Sequence, residues 1–207
     1  MRPPSEANRV HRFDGQGLIS TVEPTQCSTP HRIAQNTDAQ NMAHITLKGN
    51  TLRTQGELPA IGSKAPDAVL TGVDLSDFKI SDYRGKKVVL NIYPSINTGV
   101  CAASVRRFNE EAAGLEDTVV LCISHDLPFA QKNFCGAEGI ENVVMGSPMR
   151  PGNTFAADYG LTILDGIFAG LLSRAVVVLD AEGTVLYTEQ VPEIAQEPDY
   201  NKALAVL

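Results

Sequence analysis

The chain predicts an α/β protein, with a central mixed sheet flanked by helices and a short β-hairpin added at its N-terminal side. Three features carry that expectation. Apolar runs of strand length alternate with stretches of helical period between residues 87 and 160. The run Thr118-Val-Val-Leu-Cys-Ile-Ser124 is almost continuously apolar, which suits a central strand covered on both faces. Two apolar segments, Arg174-Ala-Val-Val-Val-Leu-Asp180 and Thr184-Val-Leu-Tyr-Thr-Glu189, flank Ala181-Glu-Gly183 as a closing hairpin.

The elements follow in order. Residues 44–54 alternate apolar and polar around Gly49-Asn50, a short hairpin. Gly62–Pro66 is a turn, Ala68–Thr71 an edge-strand candidate, and Ile80–Gly85 a turn-like approach to a strand at Lys87–Tyr93. Val105, Phe108, Ala112 and Leu115 recur at spacings of three and four, predicting a helix over 99–116. A second helix spans 128–136, with Pro128 in its first turn, where its missing N–H costs nothing. Asn142–Met145 is a short strand, Asn153–Tyr159 a helical turn or two ending at Gly160, and 198–207 a closing helix.

Residues 1–41 differ in kind. They hold Pro3, Pro4, Pro24 and Pro30, no lysine and no sustained periodicity. Such a segment buries too little apolar surface to offset its ordering entropy, so it is expected to be a disordered extension. Met42 opens the first patterned stretch, and residues 42–207 form the expected folded domain. The arm's charges cancel, so the net charge of −7 is carried by the remainder, which argues against a nucleic-acid partner. No apolar run approaches the roughly 18 residues of a membrane span, and no export signal is legible, so the expected compartment is the cytoplasm. Four cysteines (Cys27, Cys101, Cys122, Cys135) are too few for a disulfide scaffold and none form C-x-x-C, so no structural zinc is expected; thiol chemistry passes its electrons through sulfur, so no cofactor is expected either.

Cys101 is the chemical focus. It stands in Pro94-Ser-Ile-Asn-Thr98-Gly-Val-Cys101, just after a buried strand and at the start of a helix. Unpaired backbone N–H groups and the positive end of the helix dipole favour thiolate there, and the thiolate is the nucleophile. Arg174 opens a strand whose next residues are apolar, and a guanidinium cannot lose its proton, so it supplies the nearby cation. Thr98 can cap the helix and aim its hydroxyl at the sulfur or a bound oxygen, while Pro94 shields the thiol. The adjacent His125 and Asp126 are the one His–acid pair, and nothing but adjacency supports a Cys–His catalytic role for them; a solvated strand end is the expected setting. Cys122, mid-strand, reads as a small core hydrophobe, and Cys27 as a free thiol without function.

Pro94-x-x-x-Thr98-x-x-Cys101 with a distant arginine resembles the active site of peroxiredoxins. The longer string Asn91–Phe108 resembles their bacterial thiol peroxidase subfamily. The likeness continues through Thr118–Ser124, Asp126-Leu-Pro-Phe-Ala-Gln131, Phe134-Cys-Gly-Ala-Glu-Gly139, Arg174–Val178 and Glu197-Pro-Asp-Tyr200, and so covers about residues 43–207. It implies a thioredoxin-like fold and a two-cysteine peroxidase acting on hydrogen peroxide and organic hydroperoxides. Cys101 matches the peroxidatic cysteine and Cys135 the resolving one, joined in an intramolecular disulfide that thioredoxin reduces. Thr98 and Arg174 match the residues that hold the peroxide oxygens and the thiolate, and a homodimer is implied. Asn97 is a departure, since some relatives carry an acid before the motif threonine. A one-cysteine peroxidase and a redox-sensing binding protein are the competing readings. Cys101 and Cys135 are expected on separate helices near opposite sheet edges, both of which must partly unwind before the sulfurs meet.

Overall fold

In the computed structural model, the described residues are 42–207; the extension read for residues 1–41, with Cys27, lies outside them. The central sheet has five strands in the order β7-β6-β5-β8-β9. Here β5 is Lys87–Ile92, β6 Thr118–Ile123, β7 Val144–Gly146, β8 Ala175–Leu179 and β9 Val185–Gln190. The first three run parallel and the last two antiparallel to their neighbours, the mixed sheet that the sequence predicts. β8 is apolar at every position because both its faces are covered.

Alternation along the strands divides the interior into two layers. Leu90 and Ile92 of β5, Leu121 and Ile123 of β6, and Ala175 and Val177 of β8 face one layer. Over that layer lie Leu70 and Phe78 of a small hairpin, β3 (Val69–Thr71) with β4 (Asp77–Lys79), together with Phe155 of the short α3 (Phe155–Asp158) and Tyr159 just after it. Val89, Val120, Cys122, Val176 and Val178 face the other. That side is covered by α1 (Gly99–Ala112), by Phe134 and Cys135 of α2 (Pro128–Glu138), and by Ala203 and Leu204 of α4 (Tyr200–Leu204).

Several expectations shift in detail. β3 pairs with β4 as a separate two-stranded sheet rather than as an edge of the central one. β4 carried no strand signal, being three residues with two charges and no β-branched side chain. α1 stops at Ala112, not Glu116: three-residue bonds from Gly114 N to Glu111 O and Leu115 N to Ala112 O tighten the chain out of helix. α2 runs on to Glu138 through Gly136 and ends where Gly139 turns left-handed, at φ 64.

The N-terminal hairpin is present, as β1 (His44–Leu47) with β2 (Asn50–Arg53). Its turn residues are Lys48 and Gly49, both with positive φ, and Asn50 already belongs to β2. Ile45 and Leu52 pack with Ile163 and Ile194 in a small core of their own. Among the described residues no helix is long and apolar enough to cross a membrane.

Candidate active site

The register of β5 against β8 assembles the site. Ile92 pairs with Ala175, so Arg174 arrives beside the point where β5 ends and the 93–98 loop begins. That loop leads into α1, whose third residue is Cys101. A strand-end guanidinium and a helix-start thiol, 73 residues apart in sequence, thus meet at one end of the sheet.

Cys101 is fully buried, and Arg174 is 2% exposed. Arg174 Nη2 lies 3.4 Å from Cys101 Sγ and donates to it. Arg174 Nε donates to the Ile194 carbonyl at 3.1 Å, which fixes the plane of the guanidinium. Nη1 is buried and has no hydrogen-bond partner among the described residues. A buried donor left bare costs about 1–3 kcal/mol, so this group is set for an acceptor that the chain itself does not supply.

Arg174 lines a cavity of about 210 Å³ together with Pro94, Thr98, Leu47, Phe168 and Ile194. Its walls are largely apolar, and the hairpin contributes Leu47 to them. Pro94 is itself buried. Thr98 is exposed and stands at the helix N-cap, where its carbonyl accepts from Ala102 N at 2.9 Å. Its hydroxyl caps nothing and donates instead to the Ser95 carbonyl at 3.2 Å, correcting the expectation of a side-chain cap. That leaves the hydroxyl's lone pairs free at the cavity.

Cys135 sits half-buried on α2, reduced like Cys101 and Cys122. Burial pushes its thiol above the ordinary value. The two helices differ in placement from the expectation: α1 lies over the sheet centre, on β5 and β6, while α2 lies over the β7 edge of the same face. They are neighbours, held by an Arg106–Glu138 ion pair at 2.9 Å and by Asn109 accepting from Glu141 N and Asn142 N. Cys122 is fully buried under Asn91, whose amide lies 3.6 Å from its sulfur, and desolvation pushes that thiol up to about 12.

The His125–Asp126 pair divides. His125 Nδ1 lies 3.0 Å from the Gly170 carbonyl oxygen, a structural contact rather than a purely solvated setting. Asp126 turns the other way, under the 93–98 loop, to accept from Ser95 Oγ, Ile96 N and Ser124 Oγ. Nothing in the sequence spacing shows that this carboxylate reaches back 30 residues. Glu193 was missed too. It accepts from Thr46 Oγ1, Lys48 N and Gly49 N of the hairpin and from Ala195 N. The acid was legible only as a surface residue beside the apolar Ile194.

A thioredoxin-like mixed sheet, with a cysteine on the first turn of the helix that follows its central strand, defines a thiol redox protein. The comparisons with known proteins narrow that class. The redoxin family profile matches residues 60–204. A thiol peroxidase of Mycobacterium tuberculosis is 60% identical over 166 residues, covering 80% of this chain and 99% of the relative. A thiol peroxidase of Corynebacterium glutamicum is 51% identical over the same coverage. Among solved structures, a peroxiredoxin-like protein from Aquifex aeolicus superposes with a TM-score of 0.73 at 38% identity, covering 81% of this chain and 99% of that one. The chain belongs to the redoxin family and, within it, to the thiol peroxidases, enzymes that reduce peroxide by thiol chemistry.

Proposed function

We propose that Cys101 is the peroxidatic cysteine, Cys135 the resolving cysteine, and Arg174, Thr98 and Pro94 the frame that orients the peroxide. The unit that carries this chemistry is residues 42–207. The single observation that carries the reading is Arg174, which spends one N–H on Cys101 Sγ, keeps Nη1 buried and unpartnered, and lines a mostly apolar cavity.

The steps follow from that frame. The Cys101 thiolate attacks the terminal oxygen of ROOH; an S–O bond forms, the O–O bond breaks, and the departing alkoxide leaves as ROH after taking a proton. Arg174 faces sulfur and oxygen together, so its charge stabilises the negative charge as it passes from one to the other. Thr98 accepts from the peroxide O–H through its free lone pairs while its own O–H donates to the Ser95 carbonyl. Pro94 closes one side of the thiol to water. Cys135 then displaces hydroxide from the sulfenic acid, an S–S bond replaces the S–O bond, and water leaves. Thioredoxin, a dithiol, reduces that disulfide, so the cycle suits a reducing compartment such as the cytoplasm. The apolar wall of Leu47, Phe168 and Ile194 supports organic hydroperoxides as substrates beside hydrogen peroxide.

Steady-state turnover with thioredoxin, thioredoxin reductase and NADPH tests the reading. Cys101→Ser is expected to lose turnover entirely. Cys135→Ser is expected to consume one equivalent of peroxide and then stop. Normal recycling by Cys135→Ser removes it as the resolving residue, and a single stoichiometric burst from the unaltered protein favours a sensor over an enzyme.

A further inference from the structure

A polar cluster outside the groups that touch Cys101 lies between the two segments carrying the cysteines. Asp126 Oδ1 accepts from Ser95 Oγ at 2.8 Å; Oδ2 accepts from Ile96 N at 2.6 Å and from Ser124 Oγ at 2.7 Å. Ser124 Oγ in turn accepts from Gln131 Nε2 at 3.2 Å, and that amide also donates to the Gly146 carbonyl at 3.2 Å. Ser124 and Gln131 are fully buried. The cluster therefore runs unbroken from the loop ahead of Cys101 to the helix of Cys135.

The anchoring of α2 gives this cluster its weight. An amphipathic helix usually holds on by apolar side chains, yet α2 fully buries only Pro128 and Gln131, and its Phe134 and Cys135 are half-buried. Gln131 precedes Cys135 by four residues, one turn, so both lie on the same helix face. The buried side chain nearest the cysteine along that face is thus held by hydrogen bonds, which weaken steeply as their angles open.

We propose that Asp126, Ser124 and Gln131 are positioning residues that tie the Cys101 loop to the Cys135 helix, so that both segments release together when the disulfide forms. This rests on the assignment of Cys101 and Cys135 as the reacting pair. In that step the S–S bond forms, the sulfenic S–O bond breaks, and hydroxide leaves as water with the Cys135 proton. The sulfurs must therefore meet. Cys101 Sγ faces Arg174 at the start of β8, while α2 lies over β7. α1 lies over β5 and β6, one to two strand spacings of about 5 Å from β7, and both thiols are free, so the sulfurs start apart and the segments must shift to join them. Withdrawing Gln131 takes the donor from Ser124 Oγ, and bonds in such a chain polarise one another, so the grip of Asp126 on Ser95 and Ile96 weakens with it. The sealed state serves peroxide attack, the open state serves resolution, and this cluster sets the balance between them.

The test uses the full chain and stopped-flow kinetics that separate peroxide attack from disulfide formation, with amide hydrogen exchange read at Ile96. Gln131→Leu keeps shape and removes the donor. It is expected to leave the attack rate within two-fold of the parent and to speed disulfide formation about five-fold, the worth of a typical hydrogen bond. The peroxide concentration that overoxidises Cys101 rises by a similar factor, and exchange at Ile96 quickens although the substitution lies on another element. Ser124→Ala, which cuts the chain in the middle, is expected to do the same, and Ser124→Thr, which keeps the hydroxyl, to restore parental values. Disulfide formation that is unchanged or slower in both Gln131→Leu and Ser124→Ala overturns the proposal, as does exchange at Ile96 that neither alters. If the parent protein forms no Cys101–Cys135 disulfide after one equivalent of peroxide, the pair assignment itself has failed. The exchange measurement then still shows whether the tie exists.

Discussion

Replacing Arg174 by methionine removes the charge and the fork while keeping much of the stem, and the structure allows its cost to be worked out. With Nη2 3.4 Å from Sγ, the attraction between a full positive and a full negative charge is about 5 kcal/mol at an effective dielectric of about 20. That is an upper bound, because water entering the site recovers part of it. A hydrogen bond to a charged group, measured by deletion, contributes about 1.5–3 kcal/mol. Arg174 is 2% exposed, so solvent screening does not cut the figure to that of a surface pair. The expected loss is therefore about 2–4 kcal/mol, or roughly 30- to 1,000-fold in the rate of peroxide attack. Arg174→Lys keeps the charge but not the planar fork that spans Ile194 O and Sγ, and should fall between the two proteins. Stopped-flow measurement of the second-order rate with hydrogen peroxide at neutral pH reads the effect, with circular dichroism confirming the fold. A rate for Arg174→Met within three-fold of the parent would refute the reasoning.

Two further expectations concern the rest of the molecule. Folding raises the Cys122 thiol to about 12, above the unfolded value of about 8.5. Its contribution to stability is therefore whole below that lower value and is lost as pH rises toward 12. Unfolding free energies from urea titrations between pH 9 and 11 should fall less steeply in Cys122→Ala, by about 1.4 kcal/mol per pH unit, and an identical slope would count against the burial argument. Partial desolvation of Glu193 opposes its ionisation, but the bonds from Lys48 N, Ala195 N, Thr46 Oγ1 and Gly49 N prevail and bring its carboxyl down to about 2. Its hold on the hairpin is thus present above about pH 4.3 and lost as pH falls toward 2. Glu193→Gln should loosen the hairpin and with it the Leu47 wall, raising KM for a bulky alkyl hydroperoxide several-fold while leaving hydrogen peroxide nearly unaffected. Equal changes for both substrates would show that the wall does not bear on substrate size.

The parts legible in the sequence are those fixed by local pattern. Continuous apolar runs revealed β6 and β8 because a doubly covered strand has no polar face to interrupt it. Cys101 stood out because a strand, a proline and a helix start are all written within ten residues. β4 was illegible because it is a three-residue strand in which one aromatic, Phe78, stands between two charged residues, too short to show a period, and pairing with β3 holds it. Asp126, Glu193 and Gln131 were missed for a different reason. Each acts through hydrogen bonds to groups distant in sequence, and such bonds depend on register and on how the loops return, neither of which leaves a periodicity. The relative seat of α1 and α2 belongs with these, since it follows from strand order rather than from either helix.

The design carries an inherent opposition. Peroxide attack needs Cys101 sealed at the foot of α1, with Arg174 held flat by Ile194 and no water competing for its free N–H. Resolution needs the same sulfur to leave that seat. A more apolar α2, with leucine where Gln131 stands, would still cover the sheet, but its contacts are non-directional and re-form against other side chains as the helix shifts. Hydrogen bonds constrain distance and angle together and weaken steeply as the angle opens, so a tie made of them selects one geometry. That supplies a physical reason for an amide and a carboxylate where packing alone would place hydrocarbon. On that proposal, sensitivity to overoxidation is set by residues that never touch the peroxide.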